Sequence, residues 1–250
     1  MSATPQKTAL VTGATDAIGR QIALALAERG WDVVVHYGQF EADALAVVKE
    51  ILALGQRAAA VRCDLANEAA VKGLLARANN ALGAAAAPVS CIVNNESLCQ
   101  ADNAANFSQA MLDTHMHPNA VAPVLLAQAL HAATPAGQQG VIVNLLDRNM
   151  QNPDPDYLSH ALSKAALHSA TPLLAKALAP KVRVVGIAPG LTPPSDAQGT
   201  VTGSRSSSPQ DVAAAVCFMA DSRTITGTII VVDAGQHLTP IQRAAMPLAT

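Results

Sequence analysis

Short, continuously apolar segments alternate with helical patterns along the chain, and this alternation limits the possible folds more than any other feature. Strands without an alternating polar face are typical of a parallel sheet that helices cover on both sides. Right-handed crossovers then predict an α/β fold: a Rossmann-like, doubly wound parallel sheet of about seven strands. No change of composition marks a linker, so we expect a single domain over residues 1–250. The predicted strands are 8–12, 31–36, 58–62, 89–93, 141–145, 182–187 and 228–232.

Helices are expected in the intervening segments, and two prolines should disturb them. Pro118 should interrupt the fourth helix, and Pro172 should kink the fifth near Ser169 or end it there. The Pro-, Gly- and Ser-rich residues 188–209 predict a loop, whose polar part at 204–208 is either solvent-exposed or a substrate lid. The predicted helices are 20–30, 41–54, 64–82, 104–133, 157–179 and 210–220.

The composition argues against several classes of partner. The net charge of −2 and the small aromatic content (one Trp, two Tyr, three Phe) do not suit a nucleic-acid surface. No apolar run reaches the roughly 20 residues that span a bilayer, and the first residues lack a signal-peptide core. The four cysteines have no C-x-x-C spacing, and the tract 115–117 lacks further ligands. We therefore expect buried free thiols, a cytoplasmic protein, no metal, and no nucleic-acid or membrane partner.

The stretch 144–164 carries the residues that are best suited to proton transfer. Asp147 should lie at the exit of the fifth strand. Tyr157, His160 and Lys164 are spaced i, i+3, i+7 and should share one face of the following helix. A carboxylate, a phenol or imidazole, and an ammonium are therefore expected to meet near one strand end.

The turn between the first strand and the first helix has the features of a phosphate-binding loop. Gly13 would allow a tight turn, and Gly19 would let the helix approach the sheet. Amides at a helix N-terminus, together with the helix dipole, favour a pyrophosphate group.

The ordered set of motifs resembles the short-chain dehydrogenase/reductase family over nearly the whole chain. Within that family, His36-Tyr37 and Asn144-x-x-Asp147 are similar to the pteridine reductase branch, where an aspartate replaces the usual serine. The motifs are T-G-x-x-x-A-x-G at 12–19, Asp64-Leu65, Asn94-Asn95, Asn119, a lysine four residues after His160, Pro189-Gly190, Ile225-Thr226-Gly227 and Val232-Asp233-Ala234-Gly235.

This resemblance implies an NAD(P)(H)-dependent oxidoreductase that reduces a small carbonyl or imine, with a pterin-like ring as one possibility, and that forms a homodimer or homotetramer. Asp64 would bond the adenine, Asn94 would lie behind the adenosine ribose, and Asn119 would hold a water in a proton relay. Lys164 would hold the nicotinamide ribose and lower the pKa of the proton donor. The implied catalytic residues are His160, Lys164, Asp147 and Asn119, and the implied cofactor-binding residues are Gly13, Asp16, Ile18, Gly19, His36, Asp64, Leu65, Asn94, Lys164, Pro189 and Gly190.

The largest departure from the family is His160, which stands four residues before Lys164, where the family has its catalytic tyrosine. Tyr157 would need a lysine at Ala161 to take that role. An imidazolium has a pKa of about 6.5 and can deliver a proton near neutral pH. We therefore favour His160 over Tyr157 as the donor. The alternative is a family member that has lost catalysis and binds a dinucleotide or a partner.

Three other departures lie near the expected cofactor. Ala17 replaces the family's middle glycine, and Cys99 stands where the pteridine branch has an aromatic ring. Glu96 replaces a small residue, so its carboxylate must turn to solvent or repel the cofactor's phosphates.

The choice between the two nicotinamide coenzymes depends on the end of the second strand. That end, His36 to Gln39, carries no acidic residue to bond a ribose 2′-hydroxyl or to reject a 2′-phosphate. Asp16 would repel a phosphate if it points inward, whereas Arg20 could help or be a solvated helix charge. The branch resemblance favours NADP(H) over NAD(H).

Overall fold

A seven-stranded sheet forms the centre of the computed structural model, which describes residues 6–147, 153–190 and 207–238. The strand order is β3-β2-β1-β4-β5-β6-β7, and every neighbouring pair is parallel. This confirms the predicted Rossmann-like fold class; the single domain over 1–250 stays a prediction. The strands are β1 Lys7–Val11, β2 Trp31–Tyr37, β3 Ala58–Arg62, β4 Val89–Asn94, β5 Gly140–Leu145, β6 Val182–Pro189 and β7 Ile229–Val232.

Helices cover both faces of the sheet because its strands are apolar on both sides. Ala9 and Val11 of β1 pack toward α1, α2 and α8, while Leu10 between them packs toward α4, α6 and α7. The described helices are α1 Ala17–Glu28, α2 Glu41–Ala53, α3 Glu68–Lys72, α4 Leu74–Ala81, α5 Gln109–Met116, a π-helical turn His117–Val121, α6 Ala122–Ala133, α7 Leu158–Leu178, α8 Pro209–Asp221 and a 3-10 turn Gln236–Leu238.

Three helices differ from the sequence prediction in their limits. The predicted helix 64–82 is divided at Gly73 into α3 and α4. The predicted helix 104–133 begins only at Gln109, because Ser108 Oγ accepts a hydrogen bond from the amide of Met111 and caps α5 there. Helix α7 continues through Pro172, so the alternative that it ends there is wrong; the kink near Ser169 stays a prediction.

The sheet positions a site at the carboxyl ends of its central strands. β2 lies beside β1 on one side and β4 lies beside β1 on the other, so the strand order reverses at β1. Loops that leave such a reversal point diverge and open a crevice where ligands bind. The residues after β1, β4, β5 and β6 therefore surround one region. Of the predicted loop 188–209, residues 191–206 lie outside the described part of the chain.

None of the helices in the described segments combines the length and the apolar character that are needed to cross a bilayer.

Candidate active site

Two cavities open along the carboxyl edge of the sheet, one on each side of the β1–α1 turn. The larger, of about 760 Å³, lies at the ends of β2 and β3, and we call it the Asp64 cavity. The smaller, of about 320 Å³, lies at the ends of β5 and β6, and we call it the His160 cavity. Asp16 lines both, so the two cavities meet at the turn that contains Gly13.

The ring of His160 lies between two hydrogen-bond acceptors. Its Nδ1 is 2.9 Å from the carbonyl oxygen of Leu98, and its Nε2 is 3.0 Å from Asp147 Oδ2. A neutral imidazole carries one N–H, but each ring nitrogen of His160 faces an oxygen. Both contacts become hydrogen bonds if the ring carries two protons, or if the ring carries one and the Asp147 carboxyl carries the other. The arrangement therefore fits a His160–Asp147 pair that holds one transferable proton in addition to the proton of a neutral ring.

Asn119 fixes the carbonyl group that His160 contacts. Asn119 Oδ1 accepts from the Leu98 amide at 2.8 Å, and Asn119 Nδ2 donates to the Leu98 carbonyl at 2.8 Å and to Ser163 Oγ at 2.9 Å. Ser163 Oγ in turn donates to the main-chain carbonyl of His160 at 2.7 Å. The resemblance assigned Asn119 to a relay water, but here both N–H groups of its side chain hold the protein. Asn119, which lies in the π-helical turn, thus positions His160. Single π-helical turns of this kind are frequent at functional sites.

A second histidine supports the same ring. His115 packs edge-on against His160, with ring centroids 6.3 Å apart and an interplanar angle of 73°. Its Nε2 accepts from the Gln100 amide at 3.0 Å, so the ring proton is on Nδ1, which faces the Met111 carbonyl at 2.9 Å. His115 is therefore a neutral, fully buried packing partner. No group of three His, Cys, Asp or Glu side chains in the described residues could hold a metal ion.

Lys164 brings a buried positive charge to the His160 cavity. Its Nζ donates to the Leu145 carbonyl at 2.9 Å, and the residue is 4% exposed. Burial lowers the pKa of the Lys164 ammonium to about 8, although Asp147 foremost, and also Glu96 and Asp16, act in the opposite direction. The ammonium disfavours further positive charge nearby, so it promotes release of a proton from the pair.

Tyr157 lies apart from this arrangement. It precedes α7, is 37% exposed, and does not line the His160 cavity, whereas His160, Lys164 and Asp147 all do. The start of α7 is held instead by Asp102, whose carboxylate accepts from the amide and the hydroxyl of Ser159. Of the two candidate donors, the described geometry therefore favours His160.

The β1–α1 turn depends on its two glycines. Gly13 has a φ of 60°, a left-handed conformation that favours glycine. A β-carbon on Gly19 would come within 2.2 Å of the Gly13 carbonyl oxygen, so only glycine lets α1 approach the turn this closely. His36 completes the turn: its Nδ1 accepts from the Gly13 amide at 3.1 Å and its Nε2–H donates to the Cys63 carbonyl at 3.1 Å. Burial lowers the pKa of His36 to about 4, so it is neutral there.

Asp16 caps α1 with its carboxylate turned toward the β1–α1 turn, although much of the residue is exposed. Its Oδ1 accepts from the Gly19 amide at 2.6 Å and its Oδ2 accepts from Asn95 Nδ2 at 2.9 Å. Burial raises the pKa of Asp16, although these hydrogen bonds lower it. The half-buried carboxylate of Glu96 lies on the other side of the turn, and burial and Asp16 raise its pKa too. The choice posed by the sequence is thus resolved: Glu96 does not turn fully to solvent.

The other predicted cofactor residues divide between the two cavities. Asp64 and Leu65 line the Asp64 cavity, and Ile18 and Pro189 line the His160 cavity. Gly190 follows β6 and packs closely, since a β-carbon there would come within 2.7 Å of Asp233 Cα.

Asn94 is buried beneath the strand ends. It is 3% exposed, lines neither cavity, and its Nδ2 donates to Asn144 Oδ1 at 2.8 Å. Its place behind the adenosine ribose stays a prediction. The next residue, Asn95, follows β4 and lines the His160 cavity.

Two polar residues, Ser97 and Arg62, are among the lining residues that sequence reasoning missed. The buried Ser97 Oγ lines the His160 cavity and has no hydrogen-bond partner among the described residues. Arg62 lines the Asp64 cavity, and its Nε donates to the Gly38 carbonyl at 3.1 Å. Arg62 reaches this cavity because the strand register pairs it with Tyr37 at the end of β2, and the sequence alone does not give that register.

Comparisons with known proteins agree with this fold. The short chain dehydrogenase family model matches residues 7–204. An uncharacterized oxidoreductase of Methylorubrum extorquens is 32% identical in an alignment of 248 positions that covers 92% of this chain and 97% of the relative. The crystal structure of FolM alternative dihydrofolate reductase 1 from Brucella canis, complexed with NADP, is 34% identical, with a TM-score of 0.85 over 93% of this chain and 95% of that one. A short chain dehydrogenase from Burkholderia cenocepacia, also in complex with NADP, is 32% identical, with a TM-score of 0.81 over 91% and 96% of the two chains.

Proposed function

The chain belongs to the short-chain dehydrogenase family of oxidoreductases, and from that premise we propose that it reduces a small carbonyl or imine group with NADP(H). The observation that carries the proposal is the 3.0 Å contact between His160 Nε2 and Asp147 Oδ2, beside the buried Lys164. A pterin-like ring is one candidate for the substrate, since the FolM structure is among the similar ones.

The residues around the two cavities fit a nicotinamide dinucleotide at its two ends. At one end, Asp64 and Leu65 line a cavity of about 760 Å³ that would hold the adenosine. At the other, the Ser97 hydroxyl has no partner among the described residues, and Lys164 lies in the same cavity wall. A bound nicotinamide coenzyme would supply the hydride.

The protein's own part in the reaction is to provide a proton and to stabilise charge. We assign the proton to the His160–Asp147 pair as a unit, because Nε2 of the ring and Oδ2 of the carboxylate are only 3.0 Å apart. Both side chains line the cavity, so the accepting atom can lie against either. Lys164 would hold a neighbouring ligand oxygen and ease the transfer by its charge.

We propose NADP(H) rather than NAD(H) because of Arg62. Its Nε is anchored on the Gly38 carbonyl, which leaves the two terminal nitrogens of the guanidinium at the end of β2, where the ribose 2′ position of a dinucleotide lies. Asp43 lines the same cavity and opposes an anion. Arg20, the other candidate, is paired with Glu50 and does not line the cavity, so we treat it as a helix-surface charge.

We further propose a homodimer or homotetramer in the cytoplasm, with no nucleic-acid or membrane partner. Val124 on α6 and Leu162 and Leu173 on α7 are 37%, 44% and 67% exposed, and apolar side chains at such positions favour association. The four cysteines are free, three of them buried and Cys99 exposed, as a reducing compartment would keep them.

A second function, dinucleotide or partner binding without turnover, is favoured by one observation. Asp16 and Glu96 place two carboxylates around the turn where the pyrophosphate would lie. Such a site could bind its ligand too weakly or in the wrong place for hydride transfer, and His160 would then have a structural role.

The two functions are separated by measuring NADPH binding by calorimetry and NADPH oxidation with a panel of ketones, aldehydes, cyclic imines and dihydropterins. Turnover that is lost in His160→Asn supports the reductase, and binding without turnover across the panel supports the second function. Absence of binding by either nicotinamide coenzyme at millimolar concentration would overturn the dinucleotide proposal.

A further inference from the structure

The carboxylate of Glu96 lies beside Gly13, next to the space that a side chain at Gly13 would fill. A β-carbon built on Gly13 would come within 2.9 Å of Glu96 Oε2 and within 2.9 Å of Glu96 Cα. The amide of Glu96 donates to Thr12 Oγ1 at 3.1 Å, which ties this segment to the end of β1. Phosphate-binding turns use glycine so that the pyrophosphate can approach the main chain. In this chain a carboxylate borders the space that the glycine leaves open.

The opposite side of the same turn also carries negative charge. Asp16 Oδ1 takes the Gly19 amide, one of the donors at the N-terminus of α1 that would otherwise face a phosphate. His36 beneath the turn is neutral, because burial lowers its pKa to about 4. Among the described residues, Lys164 on α7 is the cation that acts on Glu96, and burial together with Asp16 nevertheless raises the pKa of Glu96.

A pyrophosphate that entered this turn would bring two further negative charges close to Glu96. We propose that a dinucleotide binds here together with one proton, which the Glu96 carboxylate takes from solvent and returns when the dinucleotide leaves. Protonation removes the repulsion between like charges and converts the carboxyl into an O–H donor for a phosphate oxygen. The inference rests on the proposed function, since it takes the ligand to be a dinucleotide.

The predicted effect is an affinity that depends on pH at one identified residue. Wherever Glu96 is ionised in the free protein, binding should weaken by up to about tenfold for each unit of pH, because one proton is taken up. In Glu96→Gln this dependence should be absent, and its affinity at pH 8 should exceed that of the wild type. The matched control is Glu28→Gln, which makes the same change of net charge at the exposed far end of α1.

The experiment is titration calorimetry from pH 5.5 to 8 in pairs of buffers with different ionisation enthalpies, which gives the number of protons taken up. The protons are counted with ADP-ribose, since it keeps the pyrophosphate and lacks both the nicotinamide ring, which would lie beside His160, and a 2′-phosphate, which itself titrates in this range. NADPH serves as a second ligand for the affinities. We expect uptake approaching one proton in the wild type and in Glu28→Gln, and none in Glu96→Gln.

The outcomes separate this inference from the proposed function. Equal uptake in the wild type and in Glu96→Gln would overturn the inference, because the proton would then belong to another group such as Asp16. The same holds if the wild type binds ADP-ribose with no uptake. Binding by Glu96→Gln alone would also overturn the inference, because the wild type would then not take up the proton, and it would remove the reductase function. Failure of every variant to bind would remove both.

Discussion

Asn119 in the π-helical turn and Leu98 after β4 form two reciprocal hydrogen bonds, each 2.8 Å long, and the same Leu98 carbonyl faces His160 Nδ1 at 2.9 Å. The orientation of the proposed proton donor therefore depends on a residue that need not touch the substrate.

The first prediction concerns this positioning residue. Asn119→Ala should lower kcat by about tenfold or more, since small misplacements of a catalytic group are costly. It should also destabilise the protein by about 1–3 kcal/mol, because the Leu98 peptide group loses its partners. Rescue of the kcat by Asn119→Gln, or an unchanged pH–rate profile in Asn119→Ala, would count against a role in orienting His160. Asn67→Ala, which removes only the cap of α3, should leave kcat unaffected.

The second prediction concerns the proton. With NADPH, the rate should fall as pH rises, because the donor must be protonated. Asp147→Asn removes the carboxylate that His160 Nε2 contacts, so its rate at pH 7 should fall by about 10²-fold or more. His160→Tyr should reduce the rate, because a phenol cannot bridge the Leu98 carbonyl and Asp147. A rate that stays flat from pH 5 to 8 in the wild type would contradict this donor.

The third prediction concerns stability and Lys164. The pKa of Lys164 in the folded protein, about 8, is below its ordinary value of 10.5. Between these two pH values the unfolded chain binds more protons than the folded one, so the free energy of unfolding increases as pH rises. The gain is at most about 3 kcal/mol. Lys164→Met should lack it and lose activity, while being at least as stable as the wild type at pH 7. Burial raises the pKa values of the Cys91 and Cys217 thiols, so these groups lower the free energy of unfolding above pH 9. The test is therefore the difference in free energy of unfolding between Lys164→Met and the wild type, measured in urea from pH 7.5 to 9.

The fourth prediction concerns coenzyme choice. Arg62→Gln should weaken NADPH binding by about 10- to 100-fold, the value of a charge-assisted hydrogen bond to phosphate, and leave NADH binding nearly unchanged. Arg20→Gln is the control, since Arg20 pairs with Glu50 on the helix surface. An equal loss for both coenzymes in Arg62→Gln would show that the residue supports the cavity wall instead of a 2′-phosphate.

The sequence was sufficient for the parts that depend on local pattern. Apolar runs predicted the strands, and the spacing of His160 and Lys164 predicted that they share one helix face. The direction of the Asp16 side chain was left open, although its place before the helix is that of an N-cap, a signal that could have been used.

Contacts between distant segments could not be predicted. Asn119 and Leu98 are 21 residues apart and meet only because the π-helical turn and the β4 loop pack together. Arg62 reaches the end of β2 because of the strand register, which a single sequence does not fix. Asn94 is held by Asn144, 50 residues further along the chain, and this contact was likewise not predicted.

Because Asp16 borders both cavities and Glu96 lines the larger one, any molecule long enough to span the two must pass both carboxylates. Nicotinamide alone, confined to the His160 cavity that Glu96 does not line, should therefore bind independently of the ionisation of Glu96. Inhibitors confined to that cavity would escape the loss of potency at high pH that Glu96 imposes on molecules that copy the whole coenzyme.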